Sequence, residues 1–73
     1  MRSDQIQLLK KPEARQIYDI IRAKGPITSR QLGAELPDIP TSKRSGIMTR
    51  LHHVGLIRRT SDSFHHSIWE VVE

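Results

Sequence analysis

The stretch Leu51-His52-His53-Val54-Gly55-Leu56-Ile57-Arg58-Arg59-Thr60 holds the change of pattern on which the fold turns. Up to Val54 the apolar residues recur at helical spacing. Ile47, Leu51 and Val54 share one face, with Met48 beside them. Gly55 stands where a left-handed residue closes a helix, and Leu51 and Leu56 are spaced for the apolar contact of a Schellman ending. Beyond Gly55 the period is that of strands. Residues 56–60 read as one and residues 67–72 as a second, carried by Ile68, Trp69, Val71 and Val72. The polar run Ser61-Asp62-Ser63-Phe64-His65 is the loop between them, so the pair is an antiparallel hairpin. A two-stranded hairpin is marginal alone and must pack on helices.

Upstream, Thr41 or Ser42 is the expected N-cap of a helix over 42–54. The turn before it, Leu36-Pro37-Asp38-Ile39-Pro40, ends a short helix over 28–36, because Pro37 disfavours helical geometry at Leu36. That helix opens on a capping box, Thr28 with Gln31, and Ile27 is placed to staple to Leu32 across the cap. Isolated after Pro26, Ile27 is also placed to add a short third strand. Gly25-Pro26 closes a helix over 12–24 that opens on Pro12-Glu13. Ala14, Ile17 and Ile21 form its inner face, widened by Tyr18 and Ile20, with Arg22 and Lys24 at the negative end of its dipole. Residues 1–11 read as an extra helical turn or as an arm. The expected architecture is α+β: one domain over 1–73, three helices and a C-terminal hairpin over 56–72.

A chain of 73 residues buries only about 60 % of its unfolded surface, which leaves one modest core and little room for an enclosed catalytic pocket. The absence of cysteine excludes disulfides, thiolate zinc sites and a cysteine nucleophile. No apolar run approaches the roughly 20 residues that cross a bilayer, and residues 1–11 lack the apolar stretch of a secretory leader. A cytoplasmic protein is expected. Lysine and arginine number 12 against 8 acids, for a net charge of +4. Between Ile39 and Ser61 there is no acid, while Lys43, Arg44, Arg50, Arg58 and Arg59 all fall there. A localised basic stretch attracts polyanions. On composition alone it is a solvated face; the order of elements changes that reading.

The order resembles the winged helix-turn-helix family, in particular bacterial MarR-like and ArsR-like DNA-binding domains and small phage regulators. The resemblance is carried by Gly25-Pro-Ile-Thr-Ser-Arg-Gln-Leu32 through Glu35-Leu36, and by Leu51-His-His-Val-Gly55-Leu-Ile-Arg-Arg59, and it spans residues 14–72. Two features depart from the family pattern: the proline-rich turn is longer than usual, and Arg44 stands where an apolar residue is common. The resemblance implies a partner, double-stranded DNA, with the helix over 42–54 in the major groove and the hairpin on phosphates or the minor groove.

The residues give the same division. With Ile47, Leu51 and Val54 inward, the outward face carries Ser42, Ser45, Gly46, Thr49 and His53, beside Thr41, with Lys43 and Arg50 flanking it. Small hydroxyl residues and a glycine permit close approach to base edges, and the cations reach phosphate or guanine. Ser45 and Gly46 are equally readable as packing against the helix over 28–36. Arg44, Lys43 and Arg50 are read as DNA contacts. Arg58 and Arg59 point to opposite faces of their strand, and phosphate contact is the expected role of whichever faces DNA. His65 and His66 lie near the hairpin tip, where protonation near pH 6 would strengthen phosphate contact.

Other chemistry is weaker. His52-His53 and His65-His66 are adjacent pairs whose rings diverge, so no metal site is expected, and no cofactor. Ser61, Asp62, Ser63 and His65 hold hydrolase residue types in a loop with nothing to bury or orient them, so no enzyme is expected. Trp69 invites comparison with Z-DNA-binding winged helices. Their helical asparagine and tyrosine are Ser45 and Thr49 here, and their Pro-Pro pair is His66-Ser67, so that reading is rejected and Trp69 is assigned to the core. A transcriptional regulator is the leading reading, with a homodimer through residues 1–9 or the helix over 12–24 as its possible assembly. A protein-docking winged helix without DNA binding is the alternative.

Overall fold

The computed structural model describes residues 2–63 and 66–72. In chain order the elements are α1 (Ser3–Leu9), α2 (Pro12–Lys24), β1 (Ile27–Thr28), α3 (Ser29–Glu35), α4 (Thr41–His53), β2 (Ile57–Ser63) and β3 (His66–Val71). The strands form one antiparallel sheet in the order β1-β3-β2, with Ile27 opposite Trp69 and Ile57 opposite Val71.

Local chemistry accounts for most boundaries. Pro12 opens α2, Glu13 lies in its first turn, and Gly25, at φ 75°, ends it in a backbone region that other residues rarely adopt. At α3 the expected capping box is present: Thr28 Oγ1 accepts from the Gln31 N–H at 3.1 Å, and Gln31 Oε1 accepts from the Thr28 N–H at 3.0 Å. Leu36, at φ −129° and ψ 63°, is out of helical geometry, as the proline after it requires. The α4 ending is a Schellman motif. Gly55 has φ 82°, the Leu56 N–H donates to the Leu51 carbonyl and the Gly55 N–H to the His52 carbonyl, both at 3.0 Å.

Three boundaries differ from expectation. The N-cap of α4 is Pro40 rather than Thr41 or Ser42, with no side-chain cap bond. Leu36 and Ile39 are both buried, and they pin the turn so that Pro40, extended at φ −59° and ψ 149°, delivers Thr41 directly into helix. Residues 3–9 resolve the choice between arm and helix in favour of helix. Finally, β2 extends to Ser63, three residues past the expected strand end at Thr60, and β3 begins at His66. The ladder passes from Thr60–Ile68 to Ser63–His66 with one extra residue on β2, a bulge that keeps a polar segment paired. Backbone pairing needs no apolar side chain, so polarity alone misplaced that boundary.

The core gathers Leu8 and Leu9 of α1, Ala14, Ile17, Tyr18 and Ile21 of α2, Ile27, Leu32, Leu36, Ile39, Met48, Leu51, Leu56 and Ile57. Trp69 is half-buried rather than enclosed, packed on this cluster from the central strand. Among the described residues, no helix is long and apolar enough to cross a membrane.

Candidate nucleic-acid interface

Burial along α4 defines the surface it leaves free. Met48 and Leu51 are buried and Arg44 and Ile47 half-buried, so Thr41, Ser42, Ser45, Gly46, Thr49, Arg50 and His53 remain exposed. A Cβ built on Gly46 meets nothing within 4 Å, so its small size is not used for packing against α3. The Thr49 hydroxyl donates to the Ser45 carbonyl at 2.9 Å. That commits the hydroxyl proton and leaves the oxygen able to accept.

Cations border this face on both sides. On the side of α1 and α2, a shallow groove of about 400 Å³ is lined by Lys11, Ser42, Lys43, Gly46 and Arg50 over an apolar floor that includes Leu8, Ala14 and Ile47. Lys43 Nζ lies 2.8 Å from Glu13 Oε2 of α2, in a pair that remains open to solvent. On the opposite side, a hollow of about 250 Å³ is lined by Ser29, Thr41, Arg44, Ser45, Thr49, Arg59 and Trp69. Arg44 is half-buried, and its guanidinium lies over Gly33 of α3, where a Cβ would stand 3.0 Å from three of its atoms. The missing side chain at Gly33 therefore makes room for an arginine where an apolar residue was the family expectation. Arg44 thereby bridges α3 and α4 while lining the hollow beside them.

Arg58 and Arg59 separate as strand alternation requires. Arg59 shares the hollow beside α4. Arg58 is paired with Glu70 and lines a different hollow, with Arg22, Pro26 and Val72. Of the twelve residues named from sequence, the structure brings ten to α4 and its borders and sends Arg58 elsewhere; His65 lies outside the described residues, as does the protonation idea, which rests on the side chains of His65 and His66. Sequence reading missed Lys11 and Ser29. The Lys10-Lys11 pair is visible in the chain, but its approach to α4 depends on how α1 packs.

No family model matches the chain, and no curated protein sequence matches it. Solved structures match its shape. The reduced form of the transcriptional regulator YodB from B. subtilis superposes with a TM-score of 0.82 at 17 % identity, over 93 % of this chain and 68 % of that one. Rv0081 of M. tuberculosis gives 0.84 at 14 % identity, over 97 % and 69 %. An ArsR family transcriptional regulator gives 0.78 at 19 % identity, over 94 % and 68 %. The fold is a winged helix-turn-helix. In its terms α3 and α4 are the helix-turn-helix pair, and β2 with β3 is the wing.

In the winged-helix frame, Trp69 links three elements around the free face of α4. Its indole N–H donates to Ser29 Oγ at 3.0 Å, and its ring meets His52 edge-on at 5.8 Å between centroids. One residue of the central strand thereby ties the start of α3 and the last turn of α4 to the wing. That contact is one tie between α4 and the wing.

Proposed function

We propose that this winged helix binds double-stranded DNA as a transcriptional regulator of bacterial or phage origin, with α4 in the major groove and the wing against phosphates or the minor groove. The observation that carries the reading is the free face of α4, small and hydroxyl-bearing, with Lys11, Lys43 and Arg50 along one side and Arg44 and Arg59 along the other. A helix entering the major groove, about 12 Å wide, has a phosphate backbone on each side, and cations on both borders suit that geometry. Gly46 permits close approach. Thr49, its hydroxyl proton already committed, offers an acceptor to base amino groups and a methyl to thymine. The regulators it resembles in shape support the biological role.

Arg58 is left out of the proposed contact set. For a homodimer, α1 spends Leu8 and Leu9 in its own core and offers Ile6, 44 % exposed, as its large exposed apolar side chain. An amide-shift titration with duplex DNA tests the reading. Shifts concentrated on Thr41–His53 and at Arg59 are expected. A protein that shows no shifts with any duplex at 50 mM salt, on the order of the ionic strength at which phosphate contacts are strong, is a docking module instead.

A further inference from the structure

The C-terminal end of α4 is held by residues far away in sequence. The Val54 carbonyl, at the C-cap, accepts one hydrogen bond from Gln5 Nε2 at 2.7 Å and another from the Arg2 guanidinium. The same Gln5 side chain uses its Oε1 to accept the Arg2 backbone N–H at 2.8 Å, closing the first turn of α1. Its amide is therefore oriented at both ends, and it is half-buried. A cation at the negative end of a helix dipole adds to the attraction. The neighbouring carbonyls of Leu51 and His52 are satisfied by the Schellman turn. Val54 is the point where α4 hands over to the wing.

We infer that Arg2 and Gln5 are positioning residues that clip the end of α4 and fix its pitch relative to the wing, so that sequence discrimination depends on side chains that touch no DNA. The inference rests on the DNA-binding reading above. Leu8 and Leu9 anchor the far end of α1 in the core, so the clip pulls against a fixed base. Loss of the clip leaves every cation of the interface in place. It removes one constraint on the angle at which the free face meets the bases and leaves the Trp69 contacts with Ser29 and His52 intact.

The test is a double variant, Arg2→Ala with Gln5→Glu. It keeps the oxygen that caps α1 and removes both donors to Val54. Because it alters net charge, it is compared with Arg15→Ala and Gln16→Glu, an equal change on the exposed side of α2. The probe is a duplex that the wild-type chain recovers from a random pool. Affinity for that duplex is expected to fall about tenfold relative to the charge-matched control, the scale of one or two lost hydrogen bonds. Affinity for random duplex should equal the control's, and amide exchange at Val54, Gly55 and Leu56 should quicken. Equal affinity of variant and control for the recovered duplex overturns the inference. If the wild-type chain recovers no duplex, the DNA reading has failed, and exchange alone judges the clip: unchanged protection at Val54–Leu56 then overturns it.

Discussion

On the proposed reading, helix stability and close approach of DNA compete at a single residue, Gly46. Glycine in a helix interior costs about 1 kcal/mol relative to alanine, and nothing within 4 Å would meet an added Cβ. Gly46→Ala is therefore expected to raise the unfolding midpoint by roughly 4–8 °C for a domain of this size, and to weaken DNA binding if bases approach the helix there. Thermal melts and a binding titration on the same samples check both halves; a stabilised variant with unaltered affinity would remove Gly46 from the interface. Glu13 poses a second residue-scale question. It holds Lys43 at 2.8 Å in an exposed pair, an arrangement worth about 0–1 kcal/mol. A phosphate must compete with that carboxylate for the ammonium. Glu13→Gln should strengthen duplex binding, by up to about fivefold if the whole pair energy is released. An affinity that stays the same or drops places Lys43 off the phosphate track.

Among the elements, α3 depends most on its cap, because seven residues give few internal hydrogen bonds to sustain a helix. Thr28→Ala removes the acceptor for the Gln31 N–H and should cost about 1 kcal/mol. Chemical denaturation would show a lowered midpoint with an unchanged slope; a variant as stable as the parent would mean that core packing of Leu32 alone holds α3. This cap, the α2 opening at Pro12 and the Gly55 ending of α4 were all legible in the sequence, since each is a local contest between a few neighbouring groups. What was not legible depended on distant parts of the chain. Pro40 became the cap of α4 because buried Leu36 and Ile39 fix the turn. The wing strands ran past the apolar pattern because backbone ladders are indifferent to side-chain polarity. In the candidate site, alternation showed that Arg58 and Arg59 must diverge but not which of them would find α4. The half-burial of Arg44 depended on Gly33, eleven positions away on another helix.

Five of the twelve basic side chains of the molecule border one helix, and the others are spread elsewhere. Lys11, Lys43 and Arg50 line one border of α4 and Arg44 and Arg59 the other, while Arg58 is neutralised by Glu70 in a separate hollow and Lys24 is paired with Glu35. Such a distribution makes a quantitative statement about salt. Each phosphate contact to duplex DNA releases counterions worth a slope of about −0.9 in log K against log salt. If all five bordering cations engage, the slope should approach roughly −4.5, and steer the encounter accordingly. Arg50→Ala should make it shallower by about one contact. Arg58→Ala should leave it where it was, because that guanidinium lies in a separate hollow away from the α4 face. Measuring the three slopes over the same range of salt separates local recognition from diffuse attraction. Equal changes from Arg50→Ala and Arg58→Ala would mean that DNA responds only to net charge, and the convergence on α4 would then have no part in binding.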